Sequence, residues 1–99
     1  IEDNIILSEF LLSSAYPNPF NPKTNIDITI PITDRVIINV YDIMGRKIVN
    51  LNQGVLVKGK YQFSWNGKDS QGRNLASGPY FVMAKYRDNT EIQKLLLLK

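Results

Sequence analysis

Tyr16-Pro17-Asn18-Pro19-Phe20-Asn21-Pro22 places three prolines in seven residues near the start of the chain. Each proline fixes its own φ, lacks an N–H and pushes the residue before it out of the helical region. The segment therefore excludes both a helix and a central strand. It reads as a stiff, extended or turning surface element that opens a β-domain. The downstream pattern agrees. In Asn25-Ile26-Asp27-Ile28-Thr29-Ile30 the apolar residues alternate with period two, the pattern of a half-buried strand. Val36 to Ile43 reads as the next strand, with Ile37 and Tyr41 making its second face apolar too. A tight turn at Met44–Lys47 uses Gly45, and Ile48–Leu51 comes next as a short partner. Tyr61, Phe63 and Trp65 form an aromatic stripe on the core side of another strand. After a turn-rich loop, Tyr80, Val82, Ala84 and Tyr86 share one face, and Arg87–Thr90 turns the chain into a last strand over 91–99. The pattern predicts an all-β fold: a small antiparallel immunoglobulin-like β-sandwich of about seven strands. Residues 1–14 read as a junction or a first strand, and residues 15–99 as the domain.

Ninety-nine residues suffice for one domain with one core, and a 43% apolar content is ordinary for a folded chain. The chain holds neither cysteine nor histidine. Disulfides and thiol chemistry are excluded, the usual zinc, copper, haem and iron–sulfur ligands are missing, and no serine has a histidine partner. The aspartates are set on converging elements by no recognisable motif, so no enzyme, metal or cofactor is expected. The net charge of +3 is scattered, which fits edge protection and solubility and not nucleic-acid binding. The loop Asn66–Gly72 loosely resembles a calcium loop but lacks the spaced carboxylates and closing glutamate. Its structural reading is two consecutive turns held by Asn66 and Asp69. The aromatic residues could form a glycan platform, but their period-two placement favours the core. Leu95 to Leu98 is an unbroken apolar run, far too short to span a bilayer. It places apolar groups on both strand faces, so one face is either covered by a neighbouring segment or available to a partner. Because the first residue is Ile1, the chain is expected to be a piece of something longer.

In chain order, the Tyr16–Pro22 segment, Val40-Tyr41-Asp42-Ile43-Met44-Gly45-Arg46, Gly59-Lys60-Tyr61, Trp65-Asn66-Gly67-Lys68-Asp69, Gly72, Ala76-Ser77-Gly78-Pro79-Tyr80-Phe81 and Lys94–Lys99 together resemble the type A C-terminal sorting domain of type IX secretion cargo, found in Bacteroidota and related bacteria. The chain is also similar to the immunoglobulin-like domain of the flagellar hook-capping protein. The first resemblance implies a non-catalytic address. An upstream passenger, covalently joined, passes through the periplasm and is delivered across the outer membrane to the cell surface or medium. The implied partners are the outer-membrane translocon and a sortase-like peptidase that cuts the domain away. The implied recognition residues are Pro17, Asn18, Pro19, Gly59, Tyr61, Gly78, Tyr80, Lys94, Leu95, Leu96, Leu97, Leu98 and Lys99. Pro79 departs from the family, where a β-branched or other residue often precedes the tyrosine. An exposed edge at Glu91–Lys99 would bind by strand addition. The reading from another class is a structural or accessory module: a spacer, a capping domain or a carbohydrate-binding domain.

Overall fold

The structure, a computed structural model, describes residues 9–99. Seven strands run in chain order: β1 (Leu11–Leu12), β2 (Thr24–Ile30), β3 (Asp34–Tyr41), β4 (Lys47–Leu56), β5 (Gly59–Trp65), β6 (Gly78–Tyr86) and β7 (Asn89–Leu97). They form a three-stranded sheet, β1-β2-β5, and a four-stranded sheet, β4-β3-β6-β7. Every strand pair is antiparallel. Among the described residues no helix is long and apolar enough to cross a membrane. The expected all-β, immunoglobulin-like sandwich of seven strands is the architecture observed.

The core is the meeting of two alternating faces. Ile26, Ile28 and Ile30 of β2 face Val36, Ile38 and Val40 of β3 and Val82 and Ala84 of β6, all essentially inaccessible to water. Trp65 and Phe20 close one end of this core, where the Trp65 ring lies 5.5 Å from Phe20 and 5.3 Å, edge-on, from Tyr80. At the other end Phe10 stacks on Tyr86 at 4.9 Å. The Tyr86 hydroxyl accepts from Ile32 N and donates to Ile32 O, both at 3.1 Å. Tyr61 and Phe63 pack half-buried against this core, so the aromatic stripe is a packing feature.

Of the two readings of residues 1–14, a first strand is seen at Leu11–Leu12: β1 pairs with Ile28 and Thr29, and packing reaches back to Phe10 and Leu12. The remainder of the junction, residues 1–8, lies outside the described residues. Two features further on differ from the sequence pattern. β4 is ten residues long instead of four. Register shifts at Ile38/Asn39 and Val40/Tyr41 break its alternation. Its Asn50 and Asn52 side chains donate to the β3 carbonyls of Ile38 and Val36, which hides the strand behind polar residues. Finally, Phe20, inside a segment expected at the surface, is only 2% exposed.

β3 is flanked on both sides and its Ile38 is fully buried. Ile38→Ala removes three carbons from a site with no room to collapse. Stability in a denaturant titration should drop by about 2–5 kcal/mol with an unchanged slope. A loss below about 1 kcal/mol would show that the sheets do not close over this residue.

Candidate functional site

β7 is an edge strand, and an edge presents unpaired backbone groups. Along its second half those groups are taken. The Asn18 side chain acts as a strand residue: its Nδ2 donates to Lys94 O and its Oδ1 accepts from Leu96 N, both at 2.9 Å. Two residues on, the backbone takes over. Phe20 N donates to Leu96 O at 2.9 Å and Phe20 O accepts from Leu98 N at 3.0 Å. This makes a parallel bridge between Phe20 and Leu97. The peptide bonds before Pro17, Pro19 and Pro22 are cis. Tyr16 anchors the start of this strap by a reciprocal backbone pair with Asn25, and Thr24 Oγ1 donates to Pro17 O at 2.8 Å. Phe20 then drives its ring into the core beside Trp65.

The strap overturns one expectation. Strand addition at Glu91–Lys99 is blocked from Lys94 onward, because the chain's own Asn18 and Phe20 already pair there. The four leucines divide by pleat: Leu95 and Leu97 are fully buried, Leu96 is half-buried and Leu98 is 47% exposed.

Of the thirteen residues singled out from the sequence, most meet at this end. Pro17, Asn18 and Pro19 form the strap. Gly78 is the register partner of Leu97, and Tyr80 of Leu95. Lys99 N donates to Ser77 Oγ at 2.9 Å, which fastens the end of the chain to the start of β6. Tyr80 is buried and its hydroxyl donates to Ala76 O at 2.8 Å. Burial, then the nearby Asp42 charge, pushes its phenol above the ordinary range. Gly59 and Tyr61 stand apart. Gly59 pairs with Ile30, at the end of β5 opposite Trp65, and the Tyr61 hydroxyl donates to Val57 O.

Sequence reasoning missed Gly67 and a duplicated turn. A Cβ on Gly67, whose φ is +72°, would come within 3.3 Å of Pro22 O and 3.4 Å of the Leu97 side chain. No other residue type fits this joint under the strap without strain. The Asp-x-x-Gly-Arg pattern occurs at Asp42–Arg46 and again at Asp69–Arg73. In each copy the aspartate Oδ1 accepts from the backbone N–H groups two and four residues on. Oδ2 accepts from the arginine Nε at 2.8 and 2.9 Å. The glycines take φ of +82° and +80°. Ser70 N donates to Ile48 O, joining the second turn to β4 just beyond the first. The repeated spacing was the available signal.

The Asp69 carboxylate is thus engaged in holding its own loop, as the two-turn reading has it. Among the described residues no cluster of three or more potential metal ligands occurs. The Arg46 backbone N–H is the largest influence holding Asp42 below the usual carboxylate range, against an opposing push from burial. The Arg73 backbone N–H does the same for Asp69, again against burial. A general acid requires the opposite direction.

The profile of the FlgD Ig-like domain family matches residues 21–90, and the chain belongs to that family. No curated protein matches at the sequence level. Among solved structures the chain is similar to FlgD from P. aeruginosa, at 25% identity and a TM-score of 0.61 over 88% of this chain and 70% of that one. It shares its fold with part of dimeric latent PorU from Porphyromonas gingivalis, at 17% identity and a TM-score of 0.63 over 90% of this chain. It also shares its fold with part of PorZ, described as an essential surface component of the type-IX secretion system of that organism, at 22% identity and a TM-score of 0.57 over 89% of this chain. The chain spans only 9% of the PorU chain and 11% of the PorZ chain. The contacts of Asn18 and Phe20 with Lys94–Leu98 lie outside the matched family residues.

This geometry has two testable consequences. Asn18→Ala frees Leu96 N and Lys94 O, and amide exchange at Leu96 should quicken by about tenfold, the equivalent of one hydrogen bond. Asn18→Asp keeps an acceptor for Leu96 but sets a carboxylate against Lys94 O, so it should not restore protection. Unchanged exchange in both variants would contradict the clamp. The second consequence concerns pH. Both turn aspartates titrate below their unfolded range, so their stabilisation is complete above about pH 4 and is lost as pH falls through the lowered folded values. The melting temperature of the wild type should exceed that of Asp42→Asn/Asp69→Asn at pH 6, and the gap should close towards pH 2. A constant gap would show that the carboxylates are not what holds the turns.

Proposed function

We propose that this chain is a non-catalytic sorting module, which directs a covalently joined upstream passenger through the type IX translocon to the cell surface or medium. In this reading a sortase-like peptidase then removes it. One observation carries the proposal: the proline strap and the terminal strand, far apart in sequence, interlock into one composite edge at Pro17–Phe20 and Lys94–Leu98. An address must be presented in one geometry while the passenger varies. A strap that pairs every outward group from Lys94 O to Leu98 N gives the terminal strand that geometry and blocks promiscuous strand pairing. The translocon then reads the composite surface of exposed Pro17, Asn18, Pro19, Lys94, Leu98 and Lys99. Leu95, Leu97 and Tyr80 act from beneath, and Gly59 and Tyr61 serve the opposite end of the sandwich. Support also comes from the occurrence of this fold within PorU and within PorZ, the latter a named component of that secretion system.

A second reading draws on family membership itself. FlgD from P. aeruginosa has the same fold at 25% identity, which favours a structural module, such as a capping or spacer domain, with no export role.

Truncating Lys94–Lys99 cannot separate these readings, because it removes the fully buried Leu95 and Leu97 and so the fold. A fluorescent carrier with a periplasmic signal peptide, fused ahead of Ile1, does separate them. It is made in a type IX-competent bacterium and in a mutant lacking the translocon. The proposal predicts carrier at the surface or in the medium only in the competent strain. Carrier kept in the periplasm of both strains, with the domain folded, would move the function to the structural module.

A further inference from the structure

We propose that the outer face of the four-stranded sheet is a docking surface for a partner protein whose own surface is apolar at its centre and edged by carboxylates. The inference goes beyond the export reading and stands without it.

The two outer faces of the sandwich are chemically unlike. On the three-stranded sheet the face is polar and bonded to itself, apart from Leu11 at its β1 edge. Ser64 donates to Asn25 at 2.8 Å, and Gln62 donates to the Tyr16 hydroxyl at 2.7 Å and to Asp27 at 3.1 Å. On the four-stranded sheet, register places Tyr41 beside Phe81, Asn39 beside Met83, and Met83 beside Ile92. Ile37 and Leu96 extend the same face. These apolar side chains are half-buried, and Ile92 is 59% exposed. A contiguous apolar field on a solvent-facing sheet marks an interaction surface more often than a scattered leucine does. β7 contributes Ile92 and Leu96 to this field, so the face adjoins the composite edge.

Charge selects the occupant. The ionic side chains that register places on this face are Arg35, Lys47, Lys85 and Lys94, all exposed. Among the described residues the strand carboxylate that reaches this face is Asp34, which lines one depression with Arg35, Ile37 and Lys85 and is ion-paired to Arg87 at 3.0 Å. With Asp34 matched by Arg87, Arg35, Lys47, Lys85 and Lys94 leave the border net basic, and an apolar centre with such a border is complementary to an apolar patch bordered by Asp and Glu. A two-fold pairing with a second copy would set lysine border against lysine border. An anionic membrane would satisfy the lysines, but insertion needs protruding apolar groups. Here Ile92 and Val55, the register partner of Arg35 at the β4 border, are the only two of seven apolar side chains on the face that are more than half exposed, and they lie on opposite edges of the sheet.

The test places the photo-crosslinking residue p-benzoylphenylalanine at Met83, Ile92 or Gln62 of the full chain in cells of the source bacterium, with and without its type IX translocon. The proposal predicts one protein adduct from Met83 and Ile92, none from Gln62, and an adducted peptide flanked by Asp and Glu. Lys47→Glu/Lys85→Glu, which leaves the composite edge untouched, should with an unchanged melting temperature lower the yield by about tenfold or more. An adduct with these properties in the strain lacking the translocon supports the docking face independently of the export reading, which the carrier experiment tests. The proposal is overturned by an adduct to a second copy, by equal yield at Gln62, or by indifference to charge reversal. It is also overturned if no protein adduct forms at Met83 or Ile92; binding of the purified chain to phosphatidylglycerol vesicles over phosphatidylcholine ones would then assign the face to a membrane.

Discussion

The fold depends on how the last strand is held from both sides. On its inner edge β7 pairs with β6 along its length, and on its outer edge a side-chain amide and one backbone residue supply the missing strand. Leu95 and Leu97 can be core residues only because that strand is fixed. Phe20 can reach Trp65 only because its backbone is bonded to Leu96 and Leu98. Gly67 then fills the joint where the β5–β6 loop passes beneath, in contact with Pro22 and Leu97. Three regions distant in sequence thus share one packing problem. A proline-rich segment suits it, since prolines give the strap stiffness and supply no spare N–H to recruit a foreign strand.

What could be read from the chain tracks the physics of alternation. β2 and β6 each bury one face cleanly, so period two exposed them and their core residues at once. β4 was foreshortened because two register shifts disturb its period, and because its asparagine side chains bond β3 carbonyls along the strand. Phe20 escaped notice because local rules assign a proline cluster to the surface, whereas its burial is decided by a strand more than seventy residues later. The same reason hid the Asn18 clamp: no local pattern announces that a side chain will stand in for a strand. The duplicated Asp-x-x-Gly-Arg turn was legible as spacing and became meaningful only when both aspartates were seen capping their own loops.

The candidate site divides in a similar way. The proline strap, Gly78, Tyr80 and the terminal strand converge, while Gly59 and Tyr61 sit at the far end and serve turn and packing roles there. In the proposed function, recognition of a finished surface replaces recognition by added strand pairing. The apolar outer face of the four-stranded sheet, which carries Arg35, Lys47, Lys85 and Lys94, adjoins that surface through β7.

The most direct test of the account is scalar coupling across the hydrogen bonds of the composite edge, read by NMR on the labelled chain. Couplings from Phe20 N to the Leu96 carbonyl carbon and from Leu98 N to the Phe20 carbonyl carbon are predicted, of the size seen within β6–β7. Their absence, with the β6–β7 couplings intact, would mean that the terminal strand is an open edge and that the strap is not its seal.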